Sequence, residues 1–367
     1  EAMQKKRNFY NTLGISACVI LAYDPFLLLS VSFQLSYLAV IGIVFFHPKI
    51  YQLYAPKNRF IDAIWQLFCL SMAAQISTFP ISLYYFHQFP MYFWLANLVV
   101  VPVATFMLQG SLLVVLTSFV PFLPNILGFL TEKLIYLNNL FVKFVQNLPF
   151  SLLNNIDISL SETFLMYLAM IFLILLFYFK EFKYAIAVFV CVIGISFLQI
   201  SKFFDQNKQS FFTIFDLKKT PNLQFLESDK AVLIGELRPE DYKVKNNFKN
   251  FWIKKGVSNV VFTHFKENSS EILAYNGKNY ELFVRNGKKF LLVKQKEKNQ
   301  FLPDADFVIV SNNSVKKLAD LGSTQFKMLI IDASNSLYYA KKLKQEADSL
   351  QISCHSVHEQ GALVQDF

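Results

Sequence analysis

The chain has 367 residues, of which 54% are hydrophobic, 17% aromatic and 17% charged, with a formal net charge of +9. A soluble domain carries roughly a quarter charged residues, so these averages disfavour a single soluble protein. The 41 Phe and 17 Tyr exclude a disordered chain, and only 11 Gly and 12 Pro exclude a collagen-like one. Three of the four cysteines, Cys18, Cys69 and Cys191, lie in apolar stretches and Cys354 lies near the C-terminus. No CxxC and no Cys/His cluster with zinc spacing occurs, so packing thiols are expected and no metal or cofactor is implied.

The composition shifts near residue 203. Residues 1–202 hold 11 Lys and Arg and 7 Asp and Glu; residues 203–367 hold 24 and 19. In the first part, 8–23, 25–48, 63–131, 163–179 and 184–201 contain no charged residue. At about 1.5 Å per residue, roughly 20 helical residues cross the hydrocarbon of a bilayer. The 69-residue span 63–131 therefore accommodates three crossings. The expected fold is a polytopic α-helical membrane domain over 1–202, followed by an α/β domain over 203–367. Crossings are expected at about 8–22, 27–46, 61–86, 91–119, 163–179 and 184–200. A further helix at about 124–147 carries Glu132, Lys133 and Lys143, and either crosses or lies partly at the interface.

Lysine and arginine set the orientation. Lys5, Lys6 and Arg7 precede the first crossing, Lys49, Lys57 and Arg59 follow the second, and Lys180 and Lys183 separate the last two. Seven crossings place all three clusters on the cytoplasmic side and leave the C-terminal domain outside. An interfacial fifth helix breaks that parity.

In the C-terminal part, 211–215, 231–234 and 260–263 read as buried strands. Runs at 272–275, 280–285 and 289–293 are separated by Asn276-Gly277 and Asn286-Gly287. Asn-Gly accepts φ > 0 at both positions, so a three-stranded meander is expected. Strands at 307–310, 328–331 and 352–357 then alternate with helices at 314–321 and 336–349. No internal repeat and no GxxxxGK[ST] phosphate loop is present.

Certain membrane segments resemble a known family. Asp24-Pro25 and the run from Ser32 to Gly42, with Phe33-Gln34-Leu35-Ser36 inside it, resemble the Phe-Gln-Leu-Ser motif of the ComEC competence proteins. Ala73-Ala74-Gln75-Ile76-Ser77-Thr78-Phe79-Pro80, then Asn97 and Pro102, resemble that family's next block in order and spacing. The resemblance covers about residues 1–200. It implies an inner-membrane channel through which one strand of DNA enters the cytoplasm in natural transformation. The implied partners are single-stranded DNA, membrane lipid, a periplasmic DNA receptor and cytoplasmic strand-capture proteins, with an oligomer also open. The family pattern begins further upstream and residue 1 is Glu, so a fragment of a longer protein is expected.

Many ComEC proteins end in a metallo-β-lactamase-like domain proposed to be a nuclease, and the C-terminal part resembles a degenerate version. Thr213-Ile214-Phe215-Asp216-Leu217 stands where the family has a strand followed by Asp-Val-Gly-Gln-Gly-Asp, but here Lys218-Lys219-Thr220-Pro221 follows. Only Thr263-His264 remains of the family's Thr-His-x-His-x-Asp-like block, and Ile331-Asp332 and Gly361-Ala362 resemble its end. A two-metal hydrolase needs several converging His and Asp ligands. His264 is the weak candidate, with His355 and His358 as the other histidines. Asp332 reads as a ligand or as a cap for the next helix. A catalytically silent domain is expected.

Polar residues within lipid mark packing or a pathway. Gln34, Ser36, Gln75, Thr78, Pro80, Asn97, Pro102 and Gln109 read either as the lining of a path, with helices broken at Pro80 and Pro102, or as interhelical hydrogen bonds. His87 reads as a headgroup-level residue within an aromatic belt of Tyr84, Tyr85, Tyr92 and Trp94. Lys243, Lys245, Lys249, Lys254 and Lys255, interleaved with Tyr242, Phe248, Phe251 and Trp252, read either as a single-strand contact or as the solvated face of an amphipathic helix. Three rivals stay open. They are a small-solute or lipid permease, an active membrane-anchored nuclease, and an anchored DNA-binding module.

Overall fold

A computed structural model describes residues 9–217, 221–242, 244, 248–263, 273–277, 279–295 and 302–366. Two compact units divide at Ile195/Ser196. The division falls inside one continuous helix, Phe182–Lys208, which also runs through position 202, where the composition shifts.

The first unit is helical. In order it contains α1 Phe9–Tyr23, a 3₁₀ turn Pro25–Leu29, α2 Val31–Tyr51, α3 Arg59–Phe86, β1 Gln88–Pro90, α4 Phe93–Leu116, α5 Leu123–Gln146, β2 Leu152–Asn154, α6 Leu160–Phe179 and α7 Phe182–Lys208. Helices α2, α3 and α6 start at side-chain caps. Ser30 Oγ accepts from Phe33 N at 3.2 Å, Asn58 Oδ1 accepts from Phe60 N at 2.8 Å, and Ser159 with Glu162 forms a capping box. Five helices, α2, α3, α4, α6 and α7, are long and apolar enough to cross a membrane, and α1 is shorter at 15 residues. The five make the chain a multi-pass membrane protein; the expected count of seven also needs α1 and α5, which fall outside those criteria.

Helix α3 is the innermost of the five: 39% of its apolar window is buried, against 0% for α4. Small residues let a neighbour approach it closely. Gly42 of α2 lies so near that a Cβ built on it would stand 2.7 Å from Ala73 O. The ribbon β1–β2 pairs Gln88–Pro90 antiparallel with Leu152–Asn154, tying the end of α3 to the chain just beyond α5.

The second unit is an α/β sandwich. One sheet has the order β13-β3-β4-β5-β6, from Leu363–Asp366, Ser210–Ile214, Asn222–Glu227, Lys230–Gly235 and Asn259–Thr263. The other has the order β12-β11-β10-β9-β8-β7, from Cys354–Ser356, Met328–Ile331, Phe307–Val310, Lys288–Val293, Tyr280–Arg285 and Leu273–Asn276. Phe212, Ile214 and Phe225 of the first sheet share one core with Phe283, Phe290 and Ile309 of the second. The helix α8 Lys249–Lys254 covers the outer face of the first sheet through Phe248 and Trp252. Outside the second sheet, Ala340 and Leu343 of α9 Leu337–Ser349 pack on Val308 and Leu329. A last turn, α10 Val357–Gln360, precedes β13.

Strands β10 and β11 read Phe-Val-Ile-Val and Met-Leu-Ile-Ile, continuous apolar runs suited to burial on both faces. Strands β7–β9 form the expected meander, and Asn286 and Gly287 take φ of 48° and 73° at its second turn. The helix expected at 314–321 is instead a 3₁₀ turn at Leu318–Leu321. Asn312 and Asn313, with φ of 53° and 56°, hold the chain out of the helical region just before it. Likewise the strand expected at 352–357 is Cys354–Ser356 and gives way to α10.

Candidate functional site

Gln75 and Pro80 face one cavity of about 450 Å³. Its other walls are Ile76 and Phe79 of α3, Phe93 of α4, Met166 and Met170 of α6, and Val188 of α7. Gln75 brings the only amide to this apolar lining. Gln34 faces a second cavity of about 950 Å³, with Tyr84, Tyr85, Ser161, Thr163 and Tyr167. There Gln34 Nε2 donates to Leu28 O at 2.9 Å and its Oε1 accepts from Tyr85 at 3.0 Å, so its amide clasps α2 to α3.

The expected breaks at Pro80 and Pro102 are absent: α3 and α4 continue through both. A proline removes one ladder bond and displaces the carbonyl of the preceding turn. One residue along from Ile76, whose carbonyl position 80 would otherwise bond, Tyr167 of α6 donates to Ser77 O at 3.0 Å. Ser77 and Thr78 direct their hydroxyls to Ala74 O, both at 2.9 Å, so Thr78 is engaged with its own helix. Asn97 and Pro102 are half-buried on α4, whereas Ser36 and Gln109 are exposed. The structure thus brings Gln75 together with Pro80 and separates both from Gln34, Ser36 and Gln109. His87 is buried, not at a free surface. It ends α3 with φ 53°, and its Nδ1 donates to Ile156 O at 3.1 Å. No sequence signal marked Tyr167, which stands within a charge-free apolar run.

Lys243, Lys245 and His264 lie outside the described residues. Lys249 and Lys254 are exposed on α8, and Lys255 stands over the Phe211 ring at 4.7 Å. Trp252 turns inward: its Nε1 donates to Gln224 Oε1 at 2.9 Å, and its ring packs beside Phe248. Phe248, Phe251 and Trp252 therefore face the core and Lys249 and Lys254 face water, as in an amphipathic helix, while Tyr242 is exposed.

A polar cluster occupies the carboxyl ends of the parallel strands. Asp332 is buried and accepts from Ser311 Oγ at 2.6 Å, Ser334 N at 3.0 Å and Asn335 Nδ2 at 3.0 Å. Burial raises its carboxyl above the ordinary range, against the lowering effect of those bonds. It holds the turn before α9, but the cap of α9 is Ser336, not Asp332. Glu281 is also buried, paired with Lys294, and burial again raises its carboxyl. Arg285 joins the two sheets through a bidentate pair with Glu227, at 2.7 and 2.6 Å.

Two family models match the chain in order: Competence protein over residues 1–180 and ComEC C-terminal domain over residues 212–367. The chain belongs to the ComEC family of competence proteins. Membership connects it with competence-related DNA uptake and with the membrane. No curated protein and no solved structure matches it.

The ComEC C-terminal half does not fit a two-metal site among its described residues. No group of three or more His, Cys, Asp or Glu converges there. His355 Nε2 donates to Gly361 O at 3.0 Å and His358 Nε2 to Asn335 O at 2.6 Å. A carbonyl only accepts, so both nitrogens carry hydrogen. Asp216 is exposed, and the Asp332 oxygens are occupied by the turn they hold.

Proposed function

We propose that this chain forms part of the inner-membrane channel that passes single-stranded DNA into the cytoplasm during natural transformation. The observation that carries the reading is the succession of the two family matches on a multi-pass membrane unit followed by an α/β domain. In this reading α1 and α5 also cross, which gives seven crossings and an extracytoplasmic C-terminal domain. That domain is catalytically silent and offers Lys249 and Lys254 to incoming DNA. A periplasmic receptor delivers the strand, and cytoplasmic strand-capture proteins or a motor supply the direction. Gln75, facing the cavity beside Pro80, is the interior polar group best placed to meet a passing strand.

The test is deletion of the full-length gene in its source organism, followed by labelled duplex DNA. Label retained outside the inner membrane, with transformants lost and regained on complementation, supports the channel. Label reaching the cytoplasm at the normal rate refutes it and favours a solute permease.

A further inference from the structure

Helix α5 carries a polar stripe that stays exposed among the described residues. Asn125, Glu132, Tyr136, Asn139, Lys143 and Gln146 are all exposed. At 3.6 residues per turn they fall within an arc of about 80°. From Asn125 to Gln146 the stripe is about 32 Å long, close to the hydrocarbon thickness of a bilayer at about 30 Å. The other two faces are of a different kind. Thr131 and Val145 turn toward α4, while Leu130, Leu137, Leu140 and Phe144 are exposed and apolar and enclose one cation, Lys133, whose Nζ stands 5.2 Å from the Phe129 ring centroid.

A helix with such a stripe either lies flat at the interface or crosses beside water. Its packing decides between them. Helix α5 runs antiparallel along α4, with contacts at three levels. Val114 of α4 and Pro124 of α5 line one pocket at the hairpin tip. A Cβ on Gly110 would stand 2.6 Å from Thr131 Oγ1 midway. Ala96 and Val145 share a pocket at the far end, where β1 pairs with β2. Helix α4 is a 24-residue span of high mean hydropathy. A helix fastened to it along its length crosses with it, and its stripe then lies at membrane depth.

We propose that the α5 stripe forms one wall of a water-filled path and touches the strand in transit. This rests on the channel reading above. The stripe is unsuited to a dry seam between copies. Copies in one membrane share an orientation, so a two-fold contact along α5 sets Glu132 against Glu132 and Lys143 against Lys143. It is suited to a nucleic acid: the Tyr136 ring offers a stacking face, the Asn139 and Gln146 amides bond base edges or sugars, and Lys143 meets phosphate.

The test uses the full chain in its native membrane with Cys18, the exposed thiol, replaced by alanine. Single cysteines are placed as Asn139→Cys on the stripe and Leu137→Cys on the apolar face, and a charged, membrane-impermeant methanethiosulfonate is added. A thiol reacts as thiolate, which needs water, so Asn139→Cys should react at least about tenfold faster than Leu137→Cys. Modification at position 139 should also block DNA import. Equal rates would overturn the wet wall, and rapid modification with undiminished import would overturn its contact with the strand. If import does not depend on the gene at all, the channel reading fails, while the ratio of rates still reports the wet face.

Discussion

The seam between α2 and α3 makes a quantitative prediction through Gly42→Ala. Gly42 is the one buried residue of α2. A Cβ built on it would stand 2.0 Å from Ser77 Oγ, 2.5 Å from Ser77 Cβ and 2.7 Å from Ala73 O. Carbon contacts are comfortable at about 3.5–4.0 Å, so the new methyl lacks about an ångström against all three atoms. The Ser77 hydroxyl can turn away; its Cβ and the Ala73 carbonyl are fixed to the α3 backbone. The helices must separate or the side chains must strain. Overpacking of this kind costs about 1–3 kcal/mol. Gly14→Ala on α1 is the matched control, because a Cβ there meets nothing within 4 Å. The same change in open space should stabilise the helix by about 0.5–1 kcal/mol. The assay is unfolding of the full chain in mixed micelles as denaturing detergent rises, followed by tryptophan fluorescence. The two substitutions should move the midpoint in opposite directions. Ser77→Gly, which removes two of the three close atoms, should recover part of the Gly42→Ala loss. Gly42→Ala as stable as Gly14→Ala would refute the close approach of α2 to α3.

Three further outcomes follow from single contacts. Tyr167→Phe removes the hydroxyl that reaches Ser77 O and should cost about 0.6–2 kcal/mol in the same assay. Trp252→Phe leaves the buried Gln224 oxygen without its donor and should cost about 1–3 kcal/mol; binding of a fluorescent oligonucleotide should be unchanged by it, yet weaken in Lys249→Ala/Lys254→Ala with a shallower salt dependence. Asp332 is raised by burial, so the native state holds a proton that the unfolded chain releases. Its contribution to stability is full below the ordinary Asp range and is lost as pH rises through the folded value. Asp332→Asn should flatten that fall, measured as unfolding midpoint against pH.

Much of the architecture is legible in the sequence, because it depends on local properties. The charge-free spans mark α2, α3, α4, α6 and α7, since a stretch without charge is what lipid tolerates. The meander is visible at its two Asn-Gly pairs, and at the second Asn286 and Gly287 take the positive φ that few residues accept. What escapes notice depends on distant partners. Strand β13 is paired with β3, more than a hundred residues earlier, and three exposed positions hide its role as an edge. The β1–β2 ribbon has no turn of its own; α4 and α5 bring its strands together. The roles of Gln34 and Tyr167 follow from Tyr85 and Ser77, which lie 51 and 90 residues away. For α5, its charged residues leave a crossing and an interfacial helix both open. Their angular positions, together with the packing on α4, divide its surface into faces of different kinds.

The charge pattern of the membrane unit then acquires a direction. Residues 63–131 contain no cation, which fits poorly with a site that grips a polyanion. A path need not grip, because binding strong enough to hold a strand also halts it. With seven crossings, the end of α5 beside the β1–β2 ribbon faces outward. Lys143 and Gln146 then stand at the outer mouth, Tyr136 and Asn139 deeper, and Glu132 deeper still. On the proposed path, a strand entering along this wall meets a cation first, neutral stacking and hydrogen-bonding groups next, then a carboxylate, with Asn125 beyond it. The two interior cavities, at about 450 and 950 Å³, have the size of small-molecule pockets, which run to roughly 300–1,000 Å³. A polymer needs a continuous passage, and the uncovered stripe of α5 has the length for one.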